Sequence, residues 1–218
     1  MTGAARPGVP PWKRILDGGL VVVTAPVWVP VMFVIGVVIK LVSSGPVLFR
    51  QERVGLHGTR FVCLKFRTMH TAASTSAHEQ YLAELMRSNR PMTKLDGNDP
   101  RLIPLGRWLR ATGVDELPQL FNVLRGEMSL VGPRPCTLPE YEAYSQAQRA
   151  RSGTLPGLTG LWQVSGKNRT TFNEMIELDI RYVQSHCLWL DLGILLRTPM
   201  ALLAQVRETV RRRKPSDS

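Results

Sequence analysis

The stretch Arg110-Ala111-Thr112-Gly113-Val114-Asp115-Glu116-Leu117-Pro118-Gln119-Leu120, running on through Phe121-Asn122-Val123-Leu124 to Val131-Gly132-Pro133-Arg134-Pro135, decides how this chain reads. Leu102, Leu105, Trp108 and Leu109 recur at helical spacing ahead of it, and Gly113 stops that run. Asp115 opens a second amphipathic run, carried by Leu117, Leu120, Phe121 and Leu124 and ended by Gly126. This puts Asp115 and Glu116 at a helix N-terminus, with Pro118 in the first turn, where a missing N–H costs little. Two readings of the acidic pair stand side by side. Asp is a favoured N-cap and Glu suits a first turn, so the pair can be purely structural. Alternatively, the carboxylate sits beside backbone N–H groups that also bind phosphate, with Arg110 one turn earlier and Arg134 between two prolines as further phosphate ligands.

At 218 residues with 44% hydrophobic content, the chain suits one domain with a sizeable core. Its formal net charge of +11 and pI near 10.3 point to an anionic polymer or surface, either nucleic acid or anionic lipid. Cys63, Cys136 and Cys187 are scattered, without CxxC spacing or nearby His partners. That speaks against a zinc site and for a reduced compartment.

Residues 1–16 read as a flexible start, rich in Gly, Ala and Pro. From Gly18 to Ile39 no charged residue occurs. A straight helix of that length covers roughly 33 Å, enough to span a bilayer core. It is too long for the apolar region of a signal peptide. Pro26 and Pro30 lie in mid-segment, each removing a backbone hydrogen bond, which predicts a kink or break. Both flanks are basic, with Arg6, Lys13 and Arg14 before and Lys40, Arg50 and Arg53 after. Under the positive-inside tendency both ends prefer the cytoplasm. A helix–break–helix over residues 17–41 that enters and leaves by one face satisfies both features.

Val47-Leu48-Phe49 is strand-like, and Phe61 to Met69 alternates, with Lys65 and Arg67 emerging side by side on one face. These two can be a solvated basic edge or phosphate ligands. A short helix is expected around His78 to Met86, a turn at Leu95–Pro100 and a helix around Tyr141 to Arg151. The loop Leu155–Arg169 holds Gly157, Gly160 and Gly166 beside Lys167 and Arg169, a weak phosphate-cradle signal. Thr170 or Thr171 then caps a helix with apolar Phe172, Met175, Ile176, Leu178 and Ile180. Leu188 to Val210 is amphipathic, opens with Trp189 and ends in a basic tail (206–218), as suits a helix lying on an anionic membrane. A core helix followed by a solvated tail fits the same residues.

The run Val114–Pro135, "VDELPQLFNVLRGEMSLVGPRP", resembles the core of the bacterial sugar transferase family, the small monotopic phosphoglycosyl transferases. Lys65-Phe66-Arg67-Thr68-Met69, Pro156-Gly157-Leu158-Thr159-Gly160 with Gln163 and Gly166-Lys167-Asn168, and the pair Asp179 and Tyr182 match further motifs of that family. The likeness extends over roughly residues 13–205. It implies a mainly helical α+β fold with a re-entrant, proline-broken membrane helix, a short β element and amphipathic interfacial helices. The catalytic domain would occupy residues 42–205 on the cytoplasmic face of the bacterial membrane. Val29 stands where the family commonly has Ser before the second proline, so one donor to a freed carbonyl is missing. The family's longer members carry extra N-terminal membrane spans, which this sequence does not show.

The resemblance further implies transfer of a sugar 1-phosphate from a UDP-sugar to polyprenyl (undecaprenyl) phosphate, which initiates exopolysaccharide or other glycoconjugate synthesis. Asp115 would be the nucleophile, Glu116 the ligand of Mg²⁺, and Arg110, Arg134, Lys65, Arg67, Lys167 and Arg169 the phosphate-binding set. The expected partners are the two substrates and membrane lipid, with a homodimer left open. A membrane-tethered nucleic-acid binder is the first rival, but the few aromatics are not interleaved with basic residues and no recognition signature occurs. A non-catalytic scaffold of the same fold is the second, and the intact Asp115-Glu116 pair argues against it.

Overall fold

The computed structural model describes residues 8–70, 84–86, 88, 90–92, 99–167 and 169–211. Helix α1 (Pro11–Val42) begins with Pro in its first turn and runs through both internal prolines. It starts inside the stretch expected to be flexible, because Lys13 and Asp17 are buried against the rest of the chain. The expected break at Pro26 and Pro30 does not divide the element in two. Thr24 Oγ1 donates to Leu20 O at 2.6 Å, and Trp28 Nε1 donates to Val21 O at 2.9 Å, seven residues back. Both bonds go to carbonyls in the turn ahead of the first proline, whereas the carbonyls that Pro26 and Pro30 leave without an N–H in a regular helix are those of Val22 and Pro26.

One side of α1 buries Lys13, Asp17, Val21, Trp28 and Ile39, while Val23, Val27, Phe33, Val34 and Leu41 on the other are exposed. The buried stripe lies on the folded body along its whole length. Near its start Lys13 Nζ donates to Val131 O; near its end Ile39 packs with Phe66 and Ile103. A straight helix of these 32 residues would measure about 48 Å.

Strands β1 (Leu48–Val54) and β2 (Arg60–Phe66) form an antiparallel hairpin in register from Leu48↔Phe66 to Val54↔Arg60. Helix α2 (Gly106–Thr112), a 3₁₀ turn (Val114–Glu116) and α3 (Gln119–Arg125) follow. Strand β3 (Ser129–Val131) pairs in parallel with β4 (Gly157–Thr159). Between them, the single helix expected around Tyr141 to Arg151 is two short ones, α4 (Leu138–Ala143) and α5 (Gln146–Arg149), then a 3₁₀ turn (Ala150–Gly153). Each starts at a capping box, Thr137 with Glu140 and Ser145 with Gln148, and the extended backbone at Tyr144 separates them. Helix α6 (Leu161–Val164) interrupts the Gly-bearing loop. Helix α7 (Phe172–Ser185) is capped by Thr171, and α8 (Leu188–Arg211) reaches into the basic tail. Of the expected helix at 78–86, only residues 84–86 are described, and they are helical; positions 95–98 of the expected turn and the tail beyond 211 lie outside the described residues.

The core under α1 joins Val21 and Trp28 to Phe61, Cys63, Leu120, Val123 and Met128. A second cluster gathers Phe172, Met175 and Ile176 of α7 with Val54, Tyr144 and Trp162. Each fully buried apolar side chain of this kind stabilises the fold by about 1.5–3 kcal/mol. Trp28 also meets Phe121 edge-on at 5.6 Å, and Arg14 Nη1 donates to Val123 O at 3.1 Å, so α3 is held against α1.

Candidate active site

Gly113, at φ 74°, turns the chain from α2 into the 3₁₀ segment that carries Asp115 and Glu116. The left-handed conformation needed there favours glycine. The structure revises the capping expectation: Pro118 occupies the N-cap position of α3 without a side-chain bond, and Asp115 sits inside the 3₁₀ turn, only 9% exposed. Helix α8 holds the approach to this turn. Gln205 Nε2 donates to Ala111 O at 2.9 Å and to Arg110 O at 3.3 Å, in the last turn of α2.

Glu116 meets strand β2 across the turn. Lys65 Nζ lies 2.8 Å from Glu116 Oε1, with side chains 26% and 37% exposed. Lys65 and Arg67 do not share a role. Arg67 is buried and donates to the carbonyls of Ser43 and Ser44, so its guanidinium holds the end of α1. Burial pushes the Cys63 thiol up, and Lys65, Arg53, Glu116 and Arg134 all act on it electrostatically.

Arg134 is held from two sides. Its Nη1 donates to Glu140 Oε1 at 2.9 Å, while its own carbonyl accepts from Arg151 Nη2 at 2.9 Å. Arg53 Nη1 donates to Pro135 O at 3.2 Å. Burial works to raise the Glu140 carboxyl, but the Arg134 and Arg53 charges and the Thr137 N–H bond outweigh it and hold it at about 2. Behind them Arg151 donates to Asp179 and to Tyr144 Oη, the latter at 2.6 Å. Arg53, Glu140 and Arg151 were absent from the sequence-based site. The Thr137-x-x-Glu140 capping box was a readable signal for Glu140. Arg53 reads in the sequence only as a basic flank.

Gly160 of the Gly-bearing loop packs closely against Gly132. A Cβ on Gly132 would lie 2.3 Å from Leu155 O, and one on Gly160 would lie 2.2 Å from Gly132 O, so these glycines let β3 and the β4 loop touch backbone to backbone. Lys167 Nζ stands over the Trp162 ring at 5.7 Å, and Arg169 is exposed. Asp179 and Tyr182, the paired motif on α7, serve two buried networks: Asp179 binds Arg151, and Tyr182 Oη donates to Asp191 Oδ1 at 2.7 Å.

Among the described residues no group of three or more His, Cys, Asp or Glu side chains could hold a metal ion. The adjacent carboxylates of Asp115 and Glu116 are oxygen donors of the type a hard divalent cation takes, one that keeps most of its waters.

A profile of the bacterial sugar transferases matches residues 9–205, which include every element from α1 to most of α8. The chain is a bacterial sugar transferase. It is 39% identical over 204 residues to the exopolysaccharide production protein ExoY of Rhizobium meliloti, covering 90% of this chain and 88% of that one. It is 44% identical over 165 residues to the galactosyl transferase CpsE of Streptococcus agalactiae, covering 74% of this chain and 35% of CpsE. Against the UDP-glucose:undecaprenyl-phosphate glucose-1-phosphate transferase of Caulobacter vibrioides it is 41% identical over 207 residues, covering 88% and 69%. The sugar transferase thus spans about a third of some relatives' length and most of others'. The family's motif residues now have places: Lys65 pairs with Glu116 next to Asp115, Arg134 is bound to Glu140, and Arg67 holds the end of α1.

Proposed function

We propose that this sugar transferase moves a sugar 1-phosphate from a UDP-sugar to a polyprenyl phosphate through a covalent bond to Asp115. The observation that carries the reading is the Lys65–Glu116 pair at 2.8 Å beside a nearly buried Asp115, within the family match. An Asp115 oxygen attacks the sugar-bearing phosphorus. A new O–P bond forms, the phosphoanhydride bond breaks, and uridine monophosphate leaves with the bridging oxygen. The acyl phosphate keeps the transfer potential of the bond it replaced. An oxygen of polyprenyl phosphate then attacks the same phosphorus, giving the polyprenyl diphosphate sugar and returning the Asp115 carboxylate.

Lys65, Arg110 and Arg134 stabilise the negative charge on the equatorial oxygens, and Glu140 keeps Arg134 oriented. Glu116, steadied by Lys65, would hold Mg²⁺, which offsets phosphate charge when bound. Both ends of α1 lie on one folded body, which supports a monotopic arrangement in which the helix dips into one leaflet. The exposed stripe Trp189, Leu196, Met200 and Leu203 of α8 suits a helix lying in the interface. With basic residues at both flanks of α1, the leaflet it enters is the cytoplasmic one.

The test is release of uridine monophosphate by the purified full chain in lipid nanodiscs, across a panel of UDP-sugars with undecaprenyl phosphate. Turnover with at least one sugar is expected. No release with any sugar, from a folded protein, would overturn the reading.

A further inference from the structure

Asn122 lies on α3, six residues past Glu116, and is completely buried. Its side-chain amide is inserted into the edge of strand β2. Oδ1 accepts from Leu64 N–H at 3.1 Å, and Nδ2 donates to Val62 O at 2.7 Å. Nδ2 also donates to Glu127 Oε2 at 2.6 Å. A residue in a parallel strand bonds the carbonyl before and the N–H after its neighbour, so this amide occupies the place of a strand residue opposite Cys63. The next side chain on β2 is Lys65, and the turn ahead of α3 carries Asp115 and Glu116. Two links therefore join β2 to the continuous segment Val114–Arg125, the Asn122 amide on α3 and the Lys65–Glu116 ion pair on the turn ahead of it.

An ion pair at a half-exposed site does not hold its own geometry, because flexible side chains lose entropy on pairing. A buried amide with its donors and acceptor matched does. We propose that Asn122 is a positioning residue of the phosphoryl-transfer site, fixing α3 along β2 so that Lys65 stands against Glu116 and beside Asp115. The inference rests on the proposed transfer reaction.

The charged group beside the amide is Glu127; Cys63 lies opposite on β2, and Arg14 of α1 crosses the end of α3 at Val123 O. In Asn122→Asp, a charged carboxylate still accepts from Leu64 N–H but opposes Val62 O and Glu127. A neutral carboxyl donates to Val62 O again. Burial favours that neutral form, so it is reached at mildly acidic pH. The full chain in nanodiscs is assayed for release of uridine monophosphate, with melting temperature measured alongside.

At pH 8, Asn122→Asp should lower kcat by about ten-fold or more with KM for the UDP-sugar changed less than about three-fold, as misplacement of reacting groups predicts. The deficit relative to wild type at equal pH should narrow as pH falls. For Asn122→Leu, or Asn122→Ser if the former does not fold, it should not narrow. Lys65→Met should also cost much less in the Asn122→Leu or Asn122→Ser background than in wild type. A deficit in Asn122→Asp that ignores pH, a loss confined to KM, or additive losses with Lys65→Met would overturn the positioning role. Absence of turnover in the wild type would instead remove the transfer reaction on which it rests.

Discussion

Lys13 Nζ lies 2.5 Å from Asp191 Oδ2, and neither side chain is exposed. The contact joins the first turn of α1 to the first turn of α8 across 178 residues of sequence. The ammonium has three donors, and the other two go to Val131 O at 2.8 Å and Tyr182 Oη at 2.9 Å. Its desolvation is thereby offset, and the two long helices α1 and α8 are tied at one corner of the domain. Lys13→Met leaves Asp191 buried without its cation and should cost about 3–5 kcal/mol in unfolding free energy. Lys13→Met with Asp191→Leu should recover most of that loss. Chemical denaturation of the three proteins in detergent measures both effects.

The same corner bears on topology. Lys13 docks one end of α1 and Arg67 holds the carbonyls of Ser43 and Ser44 at the other, so the proposed monotopic arrangement requires both flanks on one side of the membrane. Single cysteines at Ala5 and Ser74, in a background without the three native ones, should both resist an impermeant thiol reagent until cells are opened. Labelling of the Ala5 position alone in intact cells would mean that α1 spans.

Glu140 makes stability depend on acid. Its carboxyl falls from an ordinary value of 4.5 to about 2 in the folded protein, burial being outweighed by Arg134 and Arg53. A depressed carboxyl stabilises the fold above the unfolded value and loses that contribution as pH drops through the folded one. Between about pH 5 and pH 2 the chain should therefore lose about 3 kcal/mol through this group. Glu140→Gln should be less stable at neutral pH and show a flatter acid limb, measured by denaturant unfolding at a series of pH values.

Gly132 precedes Pro133-Arg134-Pro135 and sits where a Cβ would meet Leu155 O and Gly157 N at 2.3 and 2.8 Å. Those atoms are backbone and cannot move aside cheaply. Gly132→Ala should destabilise by about 3 kcal/mol and displace Arg134, two residues further on. Gly19→Ala, inside α1 with open space around it, should instead stabilise by about 0.5–1 kcal/mol. Melting temperatures of both variants decide the matter.

What could be read in the sequence was local. Gly113 and Gly126 stop helices because both adopt the left-handed conformation, and the alternation after Phe61 is a strand because its partner β1 precedes it in a hairpin closed by residues 55–59. Thr171 caps α7 through a bond to the Glu174 N–H, as its type suggested. The division between α4 and α5 was written in two capping boxes that a simple apolar count passes over. The candidate site was half readable. Asp115, Glu116 and Lys65 stand in motifs, but the fate of Arg67 depends on Ser43 and Ser44, which only the packing of α1 brings near. Arg151 and Asp179, like Lys13 and Asp191, are partners across long loops, and no periodicity encodes such a pairing.

The central claim is that Asp115 becomes covalently loaded. The full chain is mixed with the UDP-sugar it turns over and with Mg²⁺, but no polyprenyl phosphate, then quenched and digested for mass spectrometry. The account predicts a sugar-phosphate adduct on the peptide containing Asp115, with a burst of about one uridine monophosphate per enzyme, and neither in Asp115→Asn. Uridine monophosphate released only when polyprenyl phosphate is present, with Asp115 unmodified throughout, would contradict it and mean direct transfer between the two substrates.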